Sequence, residues 1–291
     1  MPGYFLLFTF EFLLHITHNF RLQTLLSMNK KFSFLLAATS FTVYSNAQQK
    51  PNWDSLAKEA ARTELWSPVP PVVTPGATPA DAPSDAVILF DGKHGLDAWY
   101  GSDDPSKPAM WTVGDGFFTV KKGTGGIRTK QSFTDYQLHL EWKIPEGIKG
   151  ENQARGNSGI FLANTDKGDV GYELQILDIY NNKTYVNGQT GSIYKQIIPL
   201  ANANKKPGEW QVYDVVWTAP RFNKDSILIA PAHVTVFLNG VLLQNNAEVL
   251  GLTQWIGSPY YKAHGACPIR LQDHGDPSEP ISFRNIWIRP L

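Results

Sequence analysis

The spacing of short alternating segments constrains the fold more than any other feature of this sequence. In segments such as 137–143 and 233–238, apolar and polar residues alternate, as expected of strands with one buried face. Glycine, proline and asparagine turns separate the segments, and Asn239-Gly240 is typical of a hairpin. Since no long amphipathic helix interrupts this region, residues 85–291 are predicted to form an antiparallel β-sandwich or jelly roll.

The segment before the predicted sandwich has a different composition. Residues 54–65 predict a short helix with Asp54 as its N-cap. Seven of the 20 prolines then fall between Pro51 and Pro83, which favours an extended linker or a strap over the domain surface. We therefore predict that residues 48–84 are a short helix followed by a Pro-rich linker.

The N-terminus contains an export signal that does not begin at residue 1. Two lysines follow Met28, residues 32–43 are mostly apolar, and small residues occupy the −3 and −1 positions before a cleavage site at Ala47. We interpret 1–47 as a signal peptide with a misassigned upstream start, the true start being Met28. This predicts a periplasmic or secreted protein, without a lipid anchor because no cysteine adjoins Ala47.

Charge and cysteine content argue against several classes of function. Lys plus Arg and Asp plus Glu are each 26, so no basic field exists to hold nucleic acid or an anionic membrane. The single cysteine, Cys267, cannot form an internal disulfide, and we expect a buried thiol rather than a nucleophile. No cysteine pair or His-Glu-x-x-His motif is present, so we predict no metal and no cofactor.

Polar side chains share one face of several predicted strands. On 172–177 the polar face is Glu173 and Gln175, because alternate strand residues point to opposite sides of a sheet. Asn157 on the preceding segment and Gln272 on 269–274 are placed in the same way. If these strands are neighbours, their polar faces converge on one concave surface, which would suit a neutral, hydroxyl-rich ligand such as a sugar.

Two of these residues could move protons. A partly buried carboxyl group such as Glu173 tends toward a raised pKa and can serve as a proton acceptor. His274, at a strand end, could act as a general base or acid, or could be a hydrogen-bonded loop residue. Glu141 and Lys143 are equally consistent with a site and with a solvated sheet face that carries an ordinary ion pair.

The order of several short motifs resembles a known family. The motifs are Phe90-Asp91-Gly92-Lys93, Asn157-Ser158-Gly159, Tyr172-Glu173-Leu174-Gln175, Thr190-Gly191-Ser192-Ile193-Tyr194, Pro207-Gly208-Glu209-Trp210, Leu271-Gln272-Asp273-His274-Gly275 and Phe283-Arg284-Asn285-Ile286. Similar motifs occur in the same order in the bacterial 3-keto-disaccharide hydrolase domain, and the resemblance covers residues 85–291. The resemblance implies a concanavalin-like sandwich that acts on oxidised glycosides.

This substrate class implies a reaction and a set of candidate residues. A 3-keto sugar has an acidic proton at C2, and its removal gives an enolate that can expel the group at C1, after which water can add. We predict Glu173 or His274 as the base and Arg155 or Lys195 beside the oxyanion. The residues predicted to bind the sugar are Glu141, Asn157, Gln175, Asp178, Gln272 and Asp273.

Two other functions remain open at this stage. Glu173, Gln175 and Asp178 have the i, i+2, i+5 spacing of laminarinase-type retaining glycosidases, although those enzymes carry Asp where this chain has Gln175. That reaction needs two carboxyl groups about 5–5.5 Å apart. A non-catalytic carbohydrate-binding module of the same fold is the other alternative, and it would not need Glu173 and His274 together.

We expect the exported protein to begin at Gln48, because signal peptidase cleaves after small residues that follow an apolar run. N-terminal sequencing of protein recovered from outside the cytoplasm checks this. Recovery of a chain that begins at Met1, or anywhere upstream of Met28, would contradict the interpretation.

Overall fold

The computed structural model describes residues 52–101 and 104–291, which form parts of two compact units. The first unit ends at Val69 and the second runs from Pro70 to Leu291. The predicted signal peptide, its start at Met28 and its cleavage site lie outside the described residues. Over the described ranges, no helix is long and apolar enough to cross a membrane.

The first unit contains the predicted helix. Helix α1 spans Trp53–Ala60 and continues into a 3₁₀ turn at Ala61–Thr63. Its N-cap is Asn52, whose side chain accepts a hydrogen bond of 3.2 Å from the Ser55 backbone N–H. The predicted cap, Asp54, instead lies in the first turn, where its negative charge interacts favourably with the helix dipole.

The second unit is built from short strands, as the alternation predicts. In chain order they are β1 Val87–Phe90, β2 Trp99–Gly101, β3 Thr112–Gly114, β4 Phe117–Thr119, β5 Ile127–Thr129, β6 Tyr136–Lys143, β7 Ser158–Asn164, β8 Gly171–Ile176, β9 Trp210–Thr218, β10 Arg221–Phe222, β11 Leu228–Ala230, β12 Ala232–Leu238, β13 Val241–Val249, β14 Arg270–Leu271 and β15 Ser282–Pro290. Short 3₁₀ turns lie at Asn152–Ala154 and Val186–Gly188.

The strands form two main sheets and a small hairpin. The first sheet has the order β13-β12-β9-β6-β15-β4-β3, and β1 also pairs with β15. The second has the order β2-β5-β14-β7-β8, while β10 and β11 pair with each other. Every pairing between these strands is antiparallel, which confirms the predicted antiparallel β-sandwich.

The core lies between the inner faces of the two sheets. Leu138, Leu140 and Trp142 from β6 are fully buried there, as are Leu174 and Ile176 from β8. Burial of large apolar side chains on this scale is the main source of stability in a domain with no disulfide. Because these alternate residues of β8 face the core, its remaining residues must face away from it.

Two tyrosines connect the sheets through the core. The Tyr213 hydroxyl on β9 donates to the backbone oxygen of Gln175 at 2.8 Å, and the Tyr136 hydroxyl on β6 donates to that of Leu162 at 2.6 Å. Both phenols are fully buried, and an unpaired hydroxyl there would be costly. These bonds hold β7 and β8 in a defined position over the first sheet.

The polar face of β6 lies in the first sheet, so the expectation that it joins the other polar faces is wrong. Glu141 on this face accepts hydrogen bonds from Arg284 Nε at 2.6 Å and from Asn285 Nδ2 at 2.9 Å. His139 Nδ1 lies 2.7 Å from Asp214 Oδ1. Since Glu141 is in a polar cluster on the outer face of the first sheet, the structure gives it no place in a site on the second.

The second half of the Pro-rich segment is a strap over this outer face. The Ala80 carbonyl accepts hydrogen bonds from Asn285 Nδ2 at 2.9 Å and Trp287 Nε1 at 3.0 Å. Near the end of the strap, Arg289 Nε lies 2.7 Å from Asp85 Oδ2. Residues 70–85 therefore belong to the sandwich unit, as one of the two predictions for this segment proposed.

We expect the free energy of unfolding to fall as the pH rises from about 6.5 through about 9. Burial lowers the pKa of His139, but hydrogen bonds to Asp214 and Glu141 outweigh it and raise the pKa to about 9. The stabilisation by protonated His139 is therefore fully present below the pKa that this residue has in the unfolded chain, and it is lost as the pH rises through the pKa in the folded protein. The loss in the free energy of unfolding is on the order of 3 kcal/mol. Denaturant unfolding across this pH range measures the loss.

The Asp214→Asn variant is the control for this prediction, because it removes the carboxylate that holds the His139 proton. Its stability should depend less on pH between about 6.5 and 9 than that of the wild type. Equal pH dependence in the two proteins would show that other groups cause it.

Candidate active site

The outer face of the second sheet carries a cavity of about 600 Å³. Its floor is formed by β7 and β8 and by the chain that follows β14, and its sides are formed by loops. The lining residues are Gln153, Asn157, Phe161, Asp169, Glu173, Gln175, Tyr185, Tyr194, Lys195, Thr253, Trp255, Gln272 and His274. The structure thus brings together six of the ten predicted site residues: Glu173, His274, Lys195, Asn157, Gln175 and Gln272.

Strand alternation places Glu173 and Gln175 on the cavity floor, and a glycine makes room for them. Gly159 on β7 pairs directly with Gln175. A Cβ atom at position 159 would lie 2.4 Å from Glu173 Oε1, closer than atoms can approach without displacement. Gly159 is therefore needed for the position of the Glu173 side chain, not for turn geometry.

The Glu173 carboxyl is buried without a counter-charge. The residue is 6% exposed, and no described residue forms a hydrogen bond to its carboxyl group. Burial, together with the nearby carboxylate of Asp169, raises the pKa of Glu173 to about 8. At neutral pH the group is therefore mostly protonated and can donate a proton.

Asp169 is a site residue that sequence reasoning missed. Its carboxylate accepts hydrogen bonds from Arg270 Nε at 2.8 Å and from Gln272 Nε2 at 2.9 Å. It lies in the loop between β7 and β8, where no motif distinguishes an acidic residue from a solvated one. Its effect is to fix the orientation of the Gln272 amide.

A chain of amide groups fixes Gln175 in the same way. Asn157 Nδ2 donates to the Gln153 backbone oxygen at 2.8 Å, so its Oδ1 is the acceptor for Gln175 Nε2, also at 2.8 Å. With both amide nitrogens engaged, Gln175 Oε1 and Gln272 Oε1 are buried and have no hydrogen-bond partner among the described residues. Such oxygens are acceptors in need of donors, which the hydroxyls of a sugar would provide.

His274 lies at one side of the cavity in a defined orientation. Its Nε2 is 3.2 Å from Asn157 Nδ2, and its Nδ1 is 3.6 Å from Asp276 Oδ2. Burial raises the pKa of Asp276, but hydrogen bonds from His274 and Ser278 outweigh it and hold the pKa below its ordinary value. A charged Asp276 favours the proton on Nδ1 and leaves Nε2 as the basic nitrogen.

The cavity also has an aromatic wall, formed by Tyr185, Tyr194 and Trp255. The hydroxyl groups of Tyr185 and Tyr194 are 2.6 Å apart. Lys195 Nζ lies 5.8 Å from the centroid of each tyrosine ring and donates to the Trp255 backbone oxygen at 2.7 Å. Of these four residues only Lys195 was predicted for the site, although Tyr194 ends one of the family-like motifs.

Three predicted site residues lie outside the cavity together with Glu141, and this corrects their predicted roles. Arg155 Nε forms an ion pair with Asp178 Oδ2 at 2.7 Å, because β8 ends at Ile176 and the chain then turns towards Gly156. The Asp273 carboxylate accepts hydrogen bonds from the backbone of Gly123 and Gly125. Arg155 therefore has no oxyanion to stabilise, and Asp178 is not paired with Glu173.

Cys267 is buried, as predicted. Burial raises the pKa of its thiol, so the reactive thiolate is disfavoured. Over residues 52–101 and 104–291, no three His, Cys, Asp or Glu side chains are grouped so that they could hold a metal ion.

The fold and the site define the class of protein as a two-sheet β-sandwich with a sugar-sized polar cavity over one sheet. Comparisons with known proteins identify the family. The model of the 3-keto-alpha-glucoside-1,2-lyase-like domain matches residues 85–289, and this chain belongs to that family. The resemblance seen in the order of the motifs is thus confirmed. A search of curated proteins found no match.

Solved structures from Parabacteroides distasonis ATCC 8503 agree with this assignment. One, described as a candidate glycosyl hydrolase, is 58% identical, with a TM-score of 0.73, and the alignment covers 79% of this chain and 95% of that chain. A second protein with the same description is 25% identical, with a TM-score of 0.50 and coverage of 71% and 99%. The family is therefore one of glycoside-acting proteins.

We expect Gly159→Ala to lower the rate of glycoside turnover roughly a hundredfold, because the new methyl group displaces the Glu173 carboxyl. The control is Gly114→Ala on β3, where an added Cβ meets nothing within 4 Å. Initial rates and melting temperatures of both variants provide the measurement. A folded Gly159→Ala protein with the wild-type rate would show that the position of Glu173 does not matter.

Proposed function

We propose that this protein cleaves 3-keto-glycosides by elimination followed by hydration, so that the net reaction is hydrolysis. The observation that carries the proposal is the buried Glu173 carboxyl, which has no counter-charge and shares one cavity with His274. An acid held neutral and a basic imidazole are the two groups that this elimination needs. Membership of the 3-keto-glucoside family supports the choice of substrate.

The floor of the cavity suits a neutral sugar ring. Gln175 Oε1 and Gln272 Oε1 can each accept a hydrogen bond from a hydroxyl group and so gain the partner that they lack. A carboxylate on the sugar would instead face these oxygens and the charge of Asp169. We therefore propose a neutral 3-keto hexose rather than a uronic acid as the ring that occupies the floor.

In the first step, His274 Nε2 takes the proton from C2 of the bound ring. The substrate must replace the long contact between Nε2 and Asn157 Nδ2 for this to occur. The electron pair of the C2–H bond forms the C2=C3 bond, and the negative charge moves to the oxygen on C3. Lys195 lines the cavity, and its ammonium group is the cation proposed to stabilise this charge.

In the second step, protonated Glu173 donates to the leaving oxygen. The C3 carbonyl re-forms, the C1=C2 bond forms, and the C1–O bond breaks. Water then adds its oxygen to C1, while a proton returns to C2, so that the atoms of one water molecule are consumed. The raised pKa of Glu173 assigns it the acid role and leaves the base role to His274.

We also propose that the reaction takes place outside the cytoplasm. The motive is the export signal that ends at Ala47. Because the sandwich has no disulfide and a single buried cysteine, its stability does not depend on an oxidising compartment.

We expect Glu173→Gln to reduce aglycone release from a 3-keto aryl glucoside by about 10²–10⁴-fold, since the amide keeps the shape but cannot donate the acid proton. In the wild type, kcat/KM should fall as the pH rises through about 8, because Glu173 then loses its proton. The His274→Ala variant lacks the proposed base and should show a comparable loss of rate.

The matched control is Glu248→Gln, a change of the same kind at an exposed position on β13. It should leave the rate and the pH profile unchanged. Sugar binding without turnover of any 3-keto substrate would favour a non-catalytic binding module. Rapid cleavage of the unoxidised glucoside would indicate an ordinary glycosidase, which the ion pair between Asp178 and Arg155 does not support.

A further inference from the structure

We infer that the aromatic wall of Tyr185, Tyr194 and Trp255 is a leaving-group subsite that prefers flat, apolar aglycones. This inference rests on the proposed function, because it concerns the group that departs from C1. It adds a substrate class that membership of the family does not specify.

The wall and the floor differ in whether their polar atoms already have hydrogen-bond partners. On the wall, the two tyrosine hydroxyls bond to each other and Lys195 Nζ donates to the Trp255 backbone oxygen. On the floor, Gln175 Oε1 and Gln272 Oε1 have no partner. The wall therefore offers ring faces and at most one free tyrosine O–H, whereas the floor requires hydroxyl groups from its ligand.

The wall also lies nearer the cavity mouth than the floor does. Trp255 is 73% exposed and Tyr185 is 40% exposed, whereas Glu173 and Gln175 are almost completely buried. An indole with this exposure leaves a large apolar surface in contact with water. A ligand that covers the indole removes this surface from water. A sugar ring on the floor would leave the group at C1 to extend towards this exposed surface.

Backbone contacts place the wall directly beside Glu173. Strand β8 is the edge of the second sheet, and the Tyr194 N–H donates to the Glu173 backbone oxygen at 3.1 Å. On the same strand, the Glu173 N–H donates to Thr253 Oγ1 at 3.0 Å, two residues before Trp255. The acid proposed to protonate the leaving oxygen therefore lies where floor and wall meet, as a leaving group on the wall would require.

The test uses benzyl and methyl 3-keto-glucosides, whose leaving alcohols have similar acidity but differ in the flat apolar ring. We expect the wild type to have the higher kcat/KM for the benzyl compound. Trp255→Ala should lower the benzyl-to-methyl ratio of kcat/KM by about tenfold, the size expected for loss of one aromatic stacking contact. The backbone oxygen that Lys195 bonds is kept in this variant.

Two further variants make the result specific. Trp255→Phe keeps a ring and should restore most of the ratio. Ile256→Ala removes an apolar side chain that is equally exposed and adjacent but does not line the cavity, and it should leave the ratio at the wild-type value. An unchanged ratio in Trp255→Ala, or a wild type with no preference for the benzyl compound, would overturn the inference.

Failure of the proposed function would look different. If the wild type turns over neither 3-keto compound, the proposed reaction fails, and the subsite is then tested by calorimetric binding of benzyl and methyl glucoside. Tighter binding of the benzyl compound that is lost in Trp255→Ala would still support the subsite. Equal affinities in both proteins would overturn it.

Discussion

The structure depends on the close packing of two antiparallel sheets through one face of each strand. Side chains of period two face the core on β6 and β8, and the hydroxyl of Tyr213 connects the sheets at the backbone of Gln175. Because the core takes every second residue of β8, Glu173 and Gln175 must lie on the outer face. The position of the site thus follows from core packing, before any ligand is considered.

The site itself is maintained at an energetic cost. A buried carboxyl without a counter-charge and two buried amide oxygens without partners all destabilise the folded state. The two amide groups are held in place by neighbouring side chains, Asp169 for Gln272 and Asn157 for Gln175. Destabilising polar groups of this kind are retained where a bound ligand satisfies them. This is the physical reason to regard the cavity as the functional site.

The sequence predicted correctly those features that local patterns determine. It did not predict those that depend on the path of loops or on which strands are neighbours. It predicted the sandwich and grouped Glu173 with Gln175, because alternation within a strand sets which way a side chain points. Gln272 and His274 also line the cavity, although β14 ends at Leu271, before either residue. It placed Glu141 with them because alternation does not say to which sheet a strand belongs. Asp169 and Trp255 were missed because they are in loops, where position along the chain carries no information on direction.

The sequence by itself determined the all-β class, the family, the faces of the strands and the presence of a short helix before a Pro-rich segment, for which a linker and a strap were both possible. Only the tertiary structure decided that β6 and β8 lie in different sheets, that Arg155 pairs with Asp178, and that the Glu173 carboxyl is buried with no counter-charge among the described residues. Class and faces follow from periods of two along the chain, which are local. Strand neighbours, ion pairs and burial depend on contacts between residues far apart in sequence, and these exist only once the chain has folded.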